Sequence, residues 1–224
     1  MDLRGLFRSR ITYGWLLAAL FIQVIRTLGS RGTPVSDVVP SGLGDFVYVW
    51  ALVIIGLSAS SVSSESGELA DSILSKSVTR LDYILAKFAS RAIYTLGTFS
   101  LVSALLVGLG LRLETGDYDP LGLTTAVLLV ALALIMLTTL GVGLSVVMSN
   151  SVVAIVVLLV LWYAMTVIFP VVGLGLLSPG SLQGVLPDLA RGVWASEWET
   201  ALGFGAISAA SVALSAAHFH LKDI

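Results

Sequence analysis

The sequence predicts an all-α integral membrane protein: a single transmembrane domain over residues 1–224 with six spans and an amphipathic helical segment between spans two and three. Three observations predict it. Only 12% of the 224 residues are charged and 57% are hydrophobic, where a soluble domain has about a quarter charged, and the mean hydropathy is +0.99. Several apolar runs approach the roughly 20 residues needed to cross about 30 Å of hydrocarbon. The runs are continuous and do not alternate, which favours helices over a barrel.

The spans read in order as residues 11–28, 46–62, 92–111, 121–148, 152–177 and 200–221. The basic start "MDLRGLFRSR" before an apolar run resembles a signal peptide, but Arg26 and the absence of a small-x-small site favour a retained first span. Pro34, Pro40, Gly42 and Gly44 predict a turn-rich linker before the second span. Residues 112–120 form a short acidic loop, and only "SNS" separates spans four and five, which demands a tight helical hairpin. In the loop 178–199, Leu182, Val185, Leu186, Leu189, Val193, Trp194 and Trp198 are too apolar for a free loop. The tryptophans place it on or in the outer leaflet, as a membrane-interfacial segment.

Lys and Arg set the orientation. With a cytoplasmic N-terminus, Arg4, Arg8, Arg10, Lys76, Arg80, Lys87, Arg91 and Lys222 lie inside, against Arg26, Arg31, Arg112 and Arg191 outside. Both termini are therefore expected in the cytoplasm, with the chain in the cell membrane. Net charge is −2, so no basic excess points to nucleic acid. With no cysteine, disulfides, thiol nucleophiles and thiolate-held clusters are excluded.

Residues 63–91 form the one long polar stretch between apolar ones, carrying Glu65, Glu68, Asp71, Lys76, Arg80, Asp82, Lys87 and Arg91. Leu69, Ile73, Leu81 and Leu85 recur at multiples of four, with Leu74, Val78, Ile84 and Phe88 beside them. That is an amphipathic helical pattern. Ser75 and Ser77 interrupt it, and "TRLD" has the form of a helix start with Thr79 as cap. Two helical pieces with a bend at residues 75–79 follow, the second leading into span three, where Lys87 and Arg91 are placed to snorkel to headgroups. An amphipathic segment between two spans can equally rest on lipid.

The order of residues favours a docking role. "ESGELADSILSKSVTRLDYILAKF" resembles the cytoplasmic segment between spans two and three of ABC-transporter permeases of the type-2 exporter class, on Glu65, Gly67, Leu69, Leu74, Ser75, Val78, Arg80 and Lys87. It departs at Ser77, where the family has proline, and at Ala86, where it has glycine. The resemblance implies a coupling helix that docks on a separate ATP-binding subunit, and a permease that works with a second copy or a sister permease across a seam on spans one, two and five. The contact residues so implied are Glu65, Glu68, Leu69, Ile73, Leu74, Ser75, Val78, Thr79 and Arg80. Leu69, Ile73 and Leu74 suit a desolvated anchor, and Glu65, Glu68, Asp71 and Arg80 a polar rim. None of Lys76, Lys87 and Lys222 follows a glycine, so the chain has no phosphate-cradling loop. No cofactor is expected on this chain; ATP and Mg belong to the partner.

His218 and His220, two apart on a helix, point about 200° apart and cannot share one ion on one face; they read as interfacial side chains. Ala201, Gly205, Ala209, Ala213 and Ala217 form a small-residue stripe for helix packing in span six, within the chain or as a dimer seam. Pro170 is expected to kink span five, and Trp162, Tyr163 and Thr166 to line a pathway or to pack. An intramembrane enzyme or an ion-coupled carrier would want carboxylates or histidines at mid-depth, and the spans as drawn contain none. A non-catalytic anchor or assembly subunit remains compatible.

Overall fold

A computed structural model describes residues 3–62, 80–113, 116, 118–195 and 197–221. The helices are α1 (Leu3–Arg8), α2 (Arg10–Gly29), α3 (Val35–Tyr48), α4 (Ala51–Ala59), α5 (Arg80–Leu113), α6 (Pro120–Val147), α7 (Ser151–Val171), α8 (Leu182–Ala190) and α9 (Glu197–Leu221), with 3-10 turns at Gly175–Leu177 and Pro179–Ser181. Among the described residues, six helical stretches are long and apolar enough to cross a membrane: Arg10–Gly29, Val35–Ala59, Leu81–Leu113, Pro120–Val147, Ser151–Val171 and Glu197–His218. An even number of spans puts α1, the end of α4, the start of α5 and the end of α9 at one end of the bundle, called here the terminal end.

α6 is the central post. It packs against α3, α4, α5, α7, α8 and α9, and most of one continuous core surrounds its Leu123, Ala126, Val130, Leu134 and Leu137. Its start is fixed by Asp119, whose carboxylate accepts from the Leu121 and Gly122 N–H groups, and by Pro120 at the first helical position. The hairpin to α7 is as tight as "SNS" demands: Asn150 caps α7 by accepting from Val152 N at 2.9 Å and Val153 N at 3.4 Å.

The expected linker before span two is instead helix. α3 starts at Val35, directly after Pro34, and carries Pro40, Gly42 and Gly44 inside it. Gly42 serves proximity, not turning. A Cβ on Gly42 would lie 2.6 Å from Leu106 Cδ2 and 2.8 Å from Gln23 Oε1, and one on Gly110 of α5 would lie 2.8 Å from Val39 Cγ2. Small residues let α3, α2 and α5 approach where lipid supplies no other drive.

Pro170 ends α7 more than it kinks it, since the helix stops at Val171. Proline cannot donate to the carbonyl four residues back, that of Thr166. The Ser178 hydroxyl, returning on the 3-10 turn, donates to that oxygen at 3.2 Å. The apolar residues of loop 178–199 divide in two. Leu182, Leu186 and Leu189 are buried, on an α8 that packs on α3 and α6, while Val193, Trp194 and Trp198 are exposed. Lys87 and Arg91, expected to snorkel to headgroups, are turned into protein, 8% and 5% exposed, and Lys87 Nζ stands 5.3 Å from the centre of the Tyr83 ring one turn away.

A Cβ at Gly122 would sit 1.8 Å from the Leu189 carbonyl oxygen, a backbone atom, whereas nothing lies within 4 Å of one at Gly44. Gly122→Ala is therefore expected to destabilise the protein by about 1–3 kcal/mol by prising α8 from α6. Gly44→Ala should not; thermal unfolding in detergent compares the two.

Candidate functional site

Span two is broken in the middle. After Asp45 the backbone ladder slips: the Asp45 carbonyl accepts from both Val49 N at 2.8 Å and Trp50 N at 3.0 Å, and Val53 N turns to Trp50 O at 3.1 Å. A five-residue step of this kind is a π-type bulge. Two carbonyls just before the break find donors on another helix. Trp162 Nε1 of α7 donates to Val47 O at 2.9 Å, and the Tyr163 hydroxyl donates to Tyr48 O at 2.5 Å. Inside a bilayer such groups have no water to turn to. Trp162 is wholly buried, so Trp162 and Tyr163 pack and bind backbone here, one of the two roles the sequence left open. Trp50 Nε1, buried at the break, has no hydrogen-bond partner among the described residues.

Beside the break lies an ion pair. Arg26 of α2 meets Asp45 at 2.7 Å, with side chains 29% and 18% exposed. Arg26 also donates to the Ser41 hydroxyl at 3.3 Å, and Gln23 Nε2 points at Gly42 O, 3.4 Å, and Asp45 Oδ2, 3.5 Å. Asp45 lies ten residues, about 15 Å at 1.5 Å per residue, into the Val35–Ala59 stretch. The premise that no span holds an interior carboxylate is thus overturned. Hydropathy began the span at Phe46, one residue too late to include it. The signal was Arg26, a cation inside an apolar run that needs a counter-ion.

Of the residues assigned to the coupling contact, Glu65, Glu68, Leu69, Ile73, Leu74, Ser75, Val78 and Thr79 lie outside the described residues; Arg80 opens α5. The flanks of that segment are described. Val62, the last residue before it, is buried with Ile84 and Phe88 of α5 and Val142 and Val146 of α6, and its N–H donates to Ser145 Oγ at 2.8 Å.

On α9, Ala201 and Gly205 are half-buried and Ala209, Ala213 and Ala217 exposed; packing on α6 falls to the neighbouring face of Phe204, Ser208, Ser211 and Ser215. The Ser211 hydroxyl donates to Thr139 O at 3.0 Å, and a Cβ at Gly143 would lie 2.7 Å from Ser215 Oγ. Small residues occupy several faces of this helix, so four-residue spacing alone did not single out the buried one. His218 is exposed. Among the described residues no group of three or more His, Cys, Asp or Glu side chains is placed to hold a metal.

A family profile described as ABC-2 family transporter protein matches residues 46–223, from the break in span two through the last helix. The chain belongs to the ABC-2 transporter family. No curated protein matches it. Membership makes this ABC-2 protein a multi-pass membrane permease component of an ABC transporter and implies an ABC ATP-binding subunit as its partner. The polar segment 63–91, the broken span two and the α6–α9 packing all fall within the matched region of the permease, apart from Asp45 and the residues before it.

Trp162→Phe keeps a ring and removes the donor to Val47 O. In this ABC-2 permease it is expected to cost about 1–3 kcal/mol, the penalty for a buried carbonyl left unmet; Trp194→Phe, at an exposed ring, should leave unfolding unchanged. Arg26→Ala and Asp45→Ala should each destabilise, with the double variant milder than the two together by about 0.5–3 kcal/mol in a double-mutant cycle.

Proposed function

We infer that this permease exports its substrate using ATP hydrolysed by the separate subunit, with residues 63–91 as the cytoplasmic coupling segment and two permeases forming the translocation unit. The observation that carries this reading is the family match across residues 46–223, which contains the stretch whose residue order resembles the coupling helix of type-2 exporters. The direction, and the pairing of permeases, rest on that resemblance. With six candidate spans, the start of α2, the end of span two, the start of α5 and the end of α9 share one end, and the excess of Lys and Arg in the flanking sequence supports that end as the cytoplasmic one.

The physical role is mass action: a partner that grips one permease state more tightly, depending on its nucleotide, shifts the equilibrium toward that state. An ion-coupled carrier gains Asp45 as a candidate carboxylate, but that group is paired with Arg26 at 2.7 Å. The ATP-driven reading is the one the family supports.

Purification from native membrane should bring down an ATP-binding protein. Leu69→Asp or Ile73→Asp should weaken that contact by about 30-fold or more, as removal of a central anchor does. Glu65→Lys and Arg80→Glu should lower ATPase turnover of the complex. Isolation of the permease without such a partner, or normal turnover in both charge variants, would overturn the docking face.

A further inference from the structure

Residues 138–146 of α6 gather contacts from every neighbour at the terminal end of the bundle. Thr138 Oγ1 meets Thr95 Oγ1 of α5 at 3.1 Å. Thr139 O accepts from Ser211 of α9. A Cβ at Gly141 would lie 2.0 Å from Ser58 Oγ of α4, and one at Gly143 within 2.9 Å of Ser211 Oγ. Ser145 and Val146 then receive both legs of segment 63–91. The leaving leg contributes Val62, through its N–H and its side chain, and the returning leg contributes Ile84 and Phe88. Between small residues there is little slack: a leg cannot shift without moving α6 or losing these contacts.

The returning leg continues without a break as α5, Arg80–Leu113, and so enters the bundle directly; the leaving leg has two ways in, α4 and α6. α4 extends nine residues from its end to the bulge at Val49 and Trp50, so a push on it is absorbed where the ladder is already slipped. α6 runs 28 residues without a break, and its far end holds α8 through Asp119 N to Ala190 O at 2.8 Å and the close approach at Gly122. Ser61, wholly buried next to Val62, has a hydroxyl with no hydrogen-bond partner among the described residues. An unmet buried hydroxyl raises the free energy of this arrangement and gives the leaving leg a reason to have a second seat.

We propose that residues 138–146 of α6 are the joint through which movement of segment 63–91 reaches α6, with Ser145 as a positioning residue. The proposal rests on the coupling role inferred above. α6 then delivers the displacement to α9 beside it and to α8 at the opposite end.

Hydrogen exchange on the permease complexed with its ATP-binding subunit in lipid nanodiscs, with and without a non-hydrolysable ATP analogue, tests it. In the native protein the analogue should change exchange in peptides covering 63–91 and, together with them, in the peptide covering 138–148. S145A should speed exchange at the joint by about fivefold or more, since the Val62 N–H loses its acceptor. It should leave the response of 63–91 in place and abolish that of 138–148. V146A, which trims the apolar seat and keeps the hydroxyl, should reduce the response of 138–148 partway. A purely structural Ser145 would give faster exchange with the nucleotide response of α6 intact, and that result overturns the proposal. So does a native protein in which 63–91 responds and α6 does not. Absence of any response in 63–91 itself sinks the coupling role and this inference together.

Discussion

Carbonyl oxygens released inside a bilayer have no water to accept from, and the break in span two releases them between Asp45 and Ala51. Trp162 and Tyr163 of α7 supply the missing donors at Val47 and Tyr48. Much follows from those two bonds. They fix which face of α7 is buried, set the distance between α7 and span two, and let α3 and α4 meet at a bulge without leaving bare backbone in the core. On the other side of the bulge, Arg26 and Asp45 tie α2 to the same turn of helix, so three spans are pinned at one level.

α6 plays the complementary part. Where span two is interrupted, α6 is continuous, capped at its start by Asp119 and stopped three residues before the cap of α7. Glycine, serine and threonine on its terminal half let α4, α5 and α9 come close, while Leu123, Leu129, Leu134, Met136 and Leu137 along its length sit in the core. A rigid post beside a jointed span is an arrangement in which displacement at one end is carried along the post and absorbed in the joint.

Six spans, their order and the tight hairpin at Asn150 were legible in the sequence, because hydrocarbon thickness fixes run length and a three-residue connection admits only neighbouring antiparallel helices. The family was legible too, from the order of residues between Glu65 and Lys87. The start of span two was not. Pro34, Pro40, Gly42 and Gly44 carry the composition of a loop, and a hydropathy reading discards them together with Asp45. The charge pair escaped for the same reason. Lys87 and Arg91 were read as lipid-facing because snorkelling is the default for long cations at a helix end, whereas here both side chains are buried in protein.

What the sequence determined alone is whatever depends on the solvent: apolar length decides what crosses, and Lys and Arg decide the expected orientation. What only the tertiary structure decided is whatever depends on which backbones touch. A glycine written as Gly42 or Gly122 marks a turn or a close approach depending on the atom opposite it, Leu106 in one case and the Leu189 carbonyl in the other. A carbonyl freed by Pro170 is a defect or a satisfied contact depending on whether Ser178 folds back to reach it. Those partners are 12 or more residues away along the chain, and periodicity within one helix carries no record of them.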